Sequence, residues 1–176
     1  MISIVIPAHN EATVIERLLR GITTNASSDK IEVVVACNGC TDQTAKICRD
    51  HDFPIKVCES EEASKIAGLN LGDEAATGFP RCYIDADVEV DLETIRAVAT
   101  VLESDETLAA APRMEVNLER SSLPVQMFYR VWLRLPYHTD GMIGSGFFAV
   151  SETGRRRFGA FPDIISDDGF VRAQFN

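Results

Sequence analysis

The chain has 176 residues, of which 45% are hydrophobic, and this length and composition suit one globular domain with a sizeable core. The formal net charge of −10 argues against nucleic acid as a partner, because a nucleic-acid-binding surface needs clustered Lys and Arg. No apolar run approaches the roughly 20 residues of a membrane-spanning helix. The chain starts in an apolar run without a basic leader, and its five cysteines lack framework spacing, so we expect a reducing cytoplasm.

Short apolar runs alternate with helical patterns through the first half of the chain. The patterns predict strands at 2–6, 31–36, 54–58 and 81–84, with helices at about 14–22, 41–48, 63–76 and 92–103. Asn10 or Thr13 can cap the first helix, and Thr41 and Asp42 open the second. This alternation predicts an α/β fold, a three-layer α/β/α sandwich with a mostly parallel, Rossmann-like sheet.

The second half of the chain has a less regular pattern. It predicts strands at 112–116 and 144–150, a short basic helix at 151–158, and a last helical piece after the acids at 166–168. The segment 127–137 is aromatic-rich, and it has three interpretations: a peripheral membrane contact, an acceptor wall, or a half-buried amphipathic helix. The run 155–157 is all arginine and either meets an anionic acceptor or forms a solvated helix face.

Four acids follow the fourth strand within seven residues, at Asp85, Asp87, Glu89 and Asp91. Carboxylates this close repel one another unless a cation or hydrogen-bond donors offset their charge. The Asp85-x-Asp87 pair at the strand end is therefore a candidate site for a hard divalent metal. We expect Glu89 to lie in a solvated turn and Asp91 to cap the next helix.

Three polar turns, at 9–11, 38–42 and 85–87, follow predicted parallel strands and so fall at the carboxyl edge of the sheet, where ligand crevices form. The first turn has no glycine, which excludes a dinucleotide-binding Gly-x-Gly-x-x-Gly loop, and a P-loop is also absent. A metal on Asp87 is then the available means of holding a diphosphate. Cys37 and Cys40 form a C-x-x-C pair, for which structural use is favoured over redox or zinc chemistry because no second pair completes a metal site.

Six stretches together resemble family 2 glycosyltransferases of the GT-A fold. They lie at 3–11, 34–42, 67–72, 85–87, 144–147 and 166–168, in the family's order. The resemblance implies transfer of a sugar from a nucleotide-diphospho-sugar donor to a sugar, lipid or other hydroxyl acceptor, usually with Mn²⁺ or Mg²⁺. It implies a single GT-A-like domain over 1–176, with a nucleotide-binding half at 1–91 and an acceptor-side half at 92–176.

The resemblance also assigns donor-binding roles, residue by residue. Pro7, Ala8 and Glu11 would line the nucleoside pocket. Asn38 stands where the family commonly has an Asp that accepts a hydrogen bond from the base, and since an amide also donates, the identity of the base stays open. Lys65 would contact the nucleotide or its phosphates; the alternative is a solvated helix lysine.

The acids take the remaining roles that the resemblance implies. Asp85 would face the ribose or the metal, and Asp87 would bind the metal, which bridges the diphosphate. In inverting members the base is the final acid of a pair that opens a helix, here Asp168, while Asp167 would orient the site or touch the acceptor. The alternative is that Ser166 and Asp167 are only helix caps. Two histidines carry less weight. His9 would form part of the pocket wall. His138, with Asp140, either reaches the acceptor or is an ordinary loop histidine, and the second is favoured.

Other activities stay open from the sequence. One is a non-catalytic nucleotide-sugar-binding domain, and another is a retaining GT-A transferase. A sugar nucleotidyltransferase would need a glycine-rich, basic loop after the first strand, which the sequence lacks. Family members usually continue past the acidic pair, whereas only 169–176 follow it here, so we expect either a compact or a truncated member.

Overall fold

A computed structural model describes residues 1–28, 30–104, 106–119, 121–135 and 146–175. Its strands are β1 (Ile2–Ala8), β2 (Ile31–Asn38), β3 (Ile55–Ser60), β4 (Arg81–Ile84), β5 (Ala109–Ala110) and β6 (Phe147–Val150). Its helices are α1 (Ile15–Thr23), α2 (Thr44–Arg49), α3 (Lys65–Ala75), α4 (Leu92–Val101), α5 (Leu123–Trp132), α6 (Glu152–Arg155) and α7 (Asp167–Ala173).

The strands form one sheet in the order β3-β2-β1-β4-β6-β5. The first four strands run parallel, because a helix carries the chain back between each strand and the next. β6 lies antiparallel to both β4 and β5. The predicted mostly parallel, Rossmann-like sheet is confirmed.

Helices cover both faces of the sheet and make three layers. On one face α1, α2 and α4 pack over Ile4 and Ile6 of β1; on the other, Leu69 of α3 and Val171 of α7 pack near Val5. Neighbouring residues of a strand point to opposite faces, so β1 contributes to both cores. Burial on both faces explains why these strands are continuous apolar runs.

The strand predicted at 112–116 is wrong. In the segment after α4, only Ala109 and Ala110 pair with β6, where they lie opposite Val150 and Ala149. Continuing this register would place Pro112 opposite the first residue of β6, and proline has no N–H to donate to the ladder. The pairing therefore stops at two residues.

The predicted caps of α1 are also wrong. Its N-cap is Val14, whose side chain makes no capping hydrogen bond. Asn10 instead adopts a φ of 56°, and its Oδ1 accepts the N–H of Thr41 at 2.8 Å. The loops after β1 and β2 are thus tied to each other, which fixes the edge of the sheet where the site was expected.

Two further capping expectations have different outcomes. α2 begins at Thr44, later than predicted, because Asp42 Oδ1 accepts the N–H of Thr44 at 3.0 Å and so makes an Asx turn before the helix. Asp91 caps α4 as expected, accepting the N–H of Thr94 at 2.8 Å. Glu89 lies at the surface, 2.9 Å from Arg17.

Candidate functional site

A cavity of about 350 Å³ opens at the carboxyl edge of the sheet, between α3, the end of β4 and α7. Four residues selected from the sequence line it: Lys65, Asp85, Asp167 and Asp168. The rest of the lining is Leu69, Tyr83, Gly146, Phe148, Ile165 and Ser166. A larger groove of about 830 Å³ lies between α1 and α2, but it contains none of the selected residues.

Lys65 joins two of the acids in this cavity. Its Nζ lies 2.8 Å and 3.0 Å from the two carboxylate oxygens of Asp85, and 3.1 Å from Oδ1 of Asp167. Lys65 is the first residue of α3, and Ser64 caps the helix by accepting the N–H of Ala67 at 3.2 Å. The ammonium group is therefore positioned by a helix terminus, and the interpretation of Lys65 as a merely solvated lysine is wrong.

The pKa shifts in the cavity follow from burial and from this pairing. Burial raises the pKa of Asp85; Lys65 opposes the shift, while Asp167 and Asp87 add to it. Burial alone would lower the pKa of Lys65, but Asp85 and Asp167 outweigh it, so the Lys65 pKa is raised. Lys65 is consequently a permanent cation between two carboxyl groups at neutral pH.

The acid pair opens α7, and Ser166 is the residue that caps the helix. Its Oγ accepts the N–H of Gly169 at 3.3 Å and donates to Asp168 Oδ1 at 2.9 Å. The N–H of Gly169 also donates to Asp168 Oδ1, at 2.7 Å. Asp167 is buried and pairs with Lys65. The cap interpretation therefore holds for Ser166, and Asp167 does not act as the cap.

Gly146 is required beside Asp85 because of its conformation and its contacts. Its φ is 78°, and a Cβ there would lie 2.7 Å from Val88 Cγ2 and 3.6 Å from Asp85 Oδ2. Its carbonyl accepts the N–H of Asp85 at 2.8 Å. A side chain at this position would press on the loop that carries Asp85.

Asn70 holds the segment before α7 in place, a role that the sequence did not indicate. Its Nδ2 donates to the carbonyl of Phe161 at 3.0 Å, and its Oδ1 accepts the N–H of Phe161 at 2.8 Å. The two residues are 91 positions apart, so only a polar residue within an apolar stretch of α3 could have signalled the contact. Asn70 thus ties the helix that carries Lys65 to the chain that leads into Asp167.

The residues expected to line a nucleoside pocket lie at the ends of β1 and β2. Pro7, Ala8 and Asn38 are buried there, and Asn38 is only 2% exposed. Asn38 Oδ1 has no hydrogen-bond partner among the described residues, and a Cβ on Gly68 would come within 2.7 Å of it. A buried acceptor without a donor costs about 1–3 kcal/mol. This oxygen is therefore a candidate to accept a hydrogen bond from a ligand.

The C-x-x-C pair contributes to the same edge of the sheet. Cys40 Sγ donates to the carbonyl of Ala8 at 3.2 Å, and His9 Nδ1 lies 2.6 Å from the carbonyl oxygen of Asn38. Both cysteines are free thiols. These contacts hold the loop after β1 against the loop after β2, which is a structural use of Cys40.

Asp87 does not line the Lys65 cavity. It borders a wider depression of about 1060 Å³ that also includes residues 112–119. Burial raises the pKa of Glu11, and the negative charge of Asp87 adds to this shift. Glu11 follows β1, and Asp85 and Asp87 follow β4, so all three acids lie at the carboxyl edge of the sheet.

The residues at this edge fit a metal that a substrate helps to hold. Within the described ranges, no group of three or more His, Cys, Asp or Glu side chains could by itself hold an ion. Mg²⁺ is commonly held by one or two carboxylates together with substrate phosphates. Asp85 and Asp87 would be the carboxylates of such a site, and Asp85 is partly exposed to solvent.

A second ion cluster lies at the other ends of α3 and β4. Asp73 Oδ1 is 2.6 Å from Arg81 Nη1, Asp73 Oδ2 is 2.7 Å from Arg155 Nη2, and the Tyr83 hydroxyl donates to Asp73. Burial would raise the pKa of Asp73, but the hydrogen bonds from Arg155, Tyr83 and Arg81 outweigh it, so this pKa is lowered. All these side chains are largely buried, and the sequence did not predict the cluster.

In the arginine run 155–157, Arg155 departs from both expectations, whereas Arg156 and Arg157 are exposed as a solvated face predicts. Arg155 is paired inside the protein and its guanidinium also lies 4.5 Å from the centre of the Phe158 ring. Arg156 is exposed and pairs with Glu152, and Arg157 donates to the carbonyl of Gln174 at 3.2 Å. His138, Asp140, Gly144 and Ser145 lie outside the described residues.

Residues 3–158 match the model of a family described as Glycosyl transferase family 2. The chain belongs to this family. The resemblance noted from the six motifs is thereby confirmed, and the protein can be called a family 2 glycosyltransferase domain.

Individual relatives agree with the family. The domain is 32% identical over 117 residues to glycosyltransferase AglD of Haloferax volcanii, which covers 62% of this chain and 19% of AglD. It superposes on mannosyltransferase PcManGT of Pyrobaculum calidifontis, in complex with GDP-Man and Mn²⁺, with a TM-score of 0.73 and 25% identity. It superposes on S. aureus TarS 1-349, in complex with UDP, with a TM-score of 0.75 and 20% identity.

The domain corresponds to part of each of these proteins. The superpositions cover 97% of this chain and 50% of the PcManGT chain, and 99% of this chain and 54% of the TarS chain. The GT-A fold is thus shared over nearly all of this chain, which confirms the predicted fold class.

Proposed function

We propose that this family 2 domain transfers a glycosyl group, with inversion, from a nucleotide-diphospho-sugar to an acceptor hydroxyl. The observation that carries the proposal is the Lys65 ammonium between Asp85 and Asp167, in a cavity that also contains Asp168. The family membership and the glycosyltransferase relatives support the reaction class.

The donor would bind across the carboxyl edge of the sheet. Pro7, Ala8 and Glu11 line the nucleoside side, and the unpaired Oδ1 of Asn38 accepts an N–H of the base. Lys65 reaches the diphosphate as a cation. Burial of Asn38 makes its contact with the base selective, because a base without a matching N–H leaves the buried Oδ1 unsatisfied.

A Mn²⁺ or Mg²⁺ ion would be held by Asp85 and Asp87 together with oxygens of the diphosphate. PcManGT, which binds GDP-Man and Mn²⁺, supports a divalent ion in this family. When bound, the cation supplies positive charge that offsets the charge developing on the leaving diphosphate. Lys65 supplies a second positive charge from the protein itself.

Asp168 is the proposed base. The acceptor oxygen bonds to the anomeric carbon, the bond from that carbon to the diphosphate breaks, and the diphosphate leaves with the electron pair. The hydroxyl proton goes to Asp168. Among the described residues, Ser166 and Gly169 both hydrogen-bond to Asp168 Oδ1, so Oδ2 is the oxygen placed to take the proton. Asp167, held by Lys65, fixes the start of the helix that carries the base.

The test is transfer by Asp168→Asn, with Asp163→Asn as the matched control because Asp163 is an exposed acid in the preceding segment. We expect Asp168→Asn to lower transfer by at least about 100-fold, since it removes the base, and to leave donor affinity unchanged. Asp163→Asn should retain full transfer. Wild-type turnover by Asp168→Asn would overturn the assignment of the base.

The assay uses UDP-, GDP- and TDP-sugars with Mn²⁺ and follows both transfer and donor hydrolysis. The anomeric configuration of the product, read by NMR, distinguishes inversion from the retaining alternative. Donor binding by the wild-type domain without transfer or hydrolysis would contradict the catalytic proposal and favour a nucleotide-sugar-binding domain.

A further inference from the structure

None of the side chains of helix α5 is fully buried. The most exposed large hydrophobic side chains on and next to it are Leu123 (71%), Val131 (67%), Met127 (61%), Phe128 (59%) and Leu135 (45%). On the same helix Gln126, Tyr129 and Trp132 are half-buried, which agrees with the half-buried amphipathic helix expected from the pattern of 127–137 in its described part. None of these residues lines the Lys65 cavity, which also argues against an acceptor wall there.

These exposed side chains form one continuous surface. Leu123, Met127 and Val131 follow one another at intervals of four residues within α5, so they lie along one face, and Leu135 lies just beyond the end of the helix. The Phe128 and Trp132 rings stack at 6.4 Å between their centres, and Tyr129 meets Trp132 edge-on at 5.6 Å. A contiguous apolar surface of this kind marks an interaction site, whereas scattered apolar residues do not.

The charge of this surface indicates the kind of partner. Residues 121–135 contain two arginines and no acid, in a chain whose formal net charge is −10. Arg130 and Arg134 are both exposed. A positive, aromatic and apolar helix on an acidic protein is complementary to a surface that is negative outside and apolar beneath. An anionic lipid bilayer has this layering, and Trp and Tyr favour its interface.

We propose that residues 121–135, here called the α5 surface, bind in the plane of an anionic bilayer. Leu123, Met127, Phe128 and Val131 enter the acyl boundary, while Arg130 and Arg134 contact lipid phosphates. The described part of the chain has no helix of the length and apolarity needed to cross a bilayer. The proposal does not depend on the glycosyltransferase reaction, because the α5 surface and the Lys65 cavity share no residue.

Trp132 provides the direct readout, because it is the single tryptophan of the chain and lies within the α5 surface. The protein is mixed with vesicles of phosphatidylcholine containing phosphatidylglycerol, and with vesicles of phosphatidylcholine alone. We expect a blue shift of Trp132 emission and co-sedimentation with the anionic vesicles, both weakened by high salt. Absence of both signals with anionic vesicles would overturn the proposal.

Variants separate the α5 surface from apolar exposure in general. Phe128→Glu should lower the partition coefficient by about tenfold or more, because it places a charge in the apolar face. Val101→Glu is the matched control, since Val101 is 53% exposed on α4, and it should bind as wild type. Each of Arg130→Gln and Arg134→Gln should weaken binding about fivefold.

Two outcomes would contradict these expectations. Equal loss of vesicle binding in Val101→Glu and Phe128→Glu would show that the α5 surface is not specific. A dimer by light scattering that Phe128→Glu converts to a monomer, without vesicle binding by the wild type, would assign the surface to a second copy of the chain. Circular dichroism of each variant checks its folding, which should be unchanged because the substituted side chains are exposed.

Discussion

The same helix and strand carry an ion cluster at each end, and the two clusters differ in what they leave available. At one end of α3 and β4, Lys65 lies between Asp85 and Asp167 and remains partly exposed in a cavity. At the other end, Asp73 lies between Arg81 and Arg155 and all three are largely buried. Lys65 and Asp73 are eight residues apart, about 12 Å along a helix.

The difference lies in how completely each charge is satisfied. Asp73 accepts hydrogen bonds from Arg81, Arg155 and Tyr83, so its oxygens are occupied by the protein. The single positive charge of Lys65 is shared by the carboxylates of Asp85 and Asp167, and Asp85 is still partly exposed to solvent. A carboxylate that is partly exposed and shares its counter-charge can accept a metal or orient a substrate. A buried carboxylate whose oxygens are all paired contributes only to the packing of the protein. Tyr83 belongs to both, since its ring lines the cavity and its hydroxyl contacts Asp73.

The largest effect that would test this contrast is on stability. Asp73→Asn should lower the free energy of unfolding by about 3–5 kcal/mol, because Arg81 and Arg155 would remain buried without a counter-charge. Asp85→Asn should change it by less than about 1 kcal/mol, because that pair is partly exposed. Urea denaturation measures both.

The adjacent arginines offer an internal control for that experiment. Arg156→Gln removes an exposed pair with Glu152 and should change stability by less than about 0.5 kcal/mol, whereas Arg155→Gln breaks the buried cluster. Equal stability losses in Asp73→Asn and Asp85→Asn would remove the distinction between the two clusters.

The pH dependence gives a smaller effect of opposite sign at the two sites. The pKa of Asp73 is lowered from its ordinary value of 3.8, so its contribution to stability is present above pH 3.8 and is lost as the pH falls through the lowered pKa. The pKa of Asp85 is raised from 3.8, so its ionisation costs stability and that cost disappears as the pH falls through the raised pKa. Urea denaturation from acid to neutral pH should show Asp73→Asn removing part of the acid loss, and Asp85→Asn removing a gain. The same pH slope in both variants would contradict the opposite shifts.

Much of the fold followed from the sequence because its physical cause is local. The apolar runs of β1 and β2 can be buried on both faces only in a covered parallel sheet, and such a sheet brings its turns to one edge. Lys65, Asp85, Asp167 and Asp168 therefore meet in one cavity although α3 and α7 are distant in sequence. The six motifs that indicated the family are likewise short local stretches, so their order could be recognised in the sequence.

Other features depend on contacts that a linear pattern does not specify. Asp73 reads as an ordinary helix acid until Arg81 and Arg155 are brought beside it from two other elements. The pattern of α5 is the same whether its apolar face meets the core or remains exposed, so periodicity alone could not decide between them. Asp85 and Asp87 are separated by a single residue, but the turn after β4 places only Asp85 in the cavity.

The most direct test of the proposed donor site is titration calorimetry of UDP and GDP, each with and without Mn²⁺, into wild-type protein and Lys65→Met. We expect the wild type to bind one of the nucleotides in a Mn²⁺-dependent manner. Lys65→Met should bind it about 10- to 100-fold more weakly, because a charge-assisted contact with the diphosphate is lost. Equal affinity in Lys65→Met, or no Mn²⁺-dependent binding of either nucleotide by the wild type, would contradict the assignment of the Lys65 cavity as the donor site.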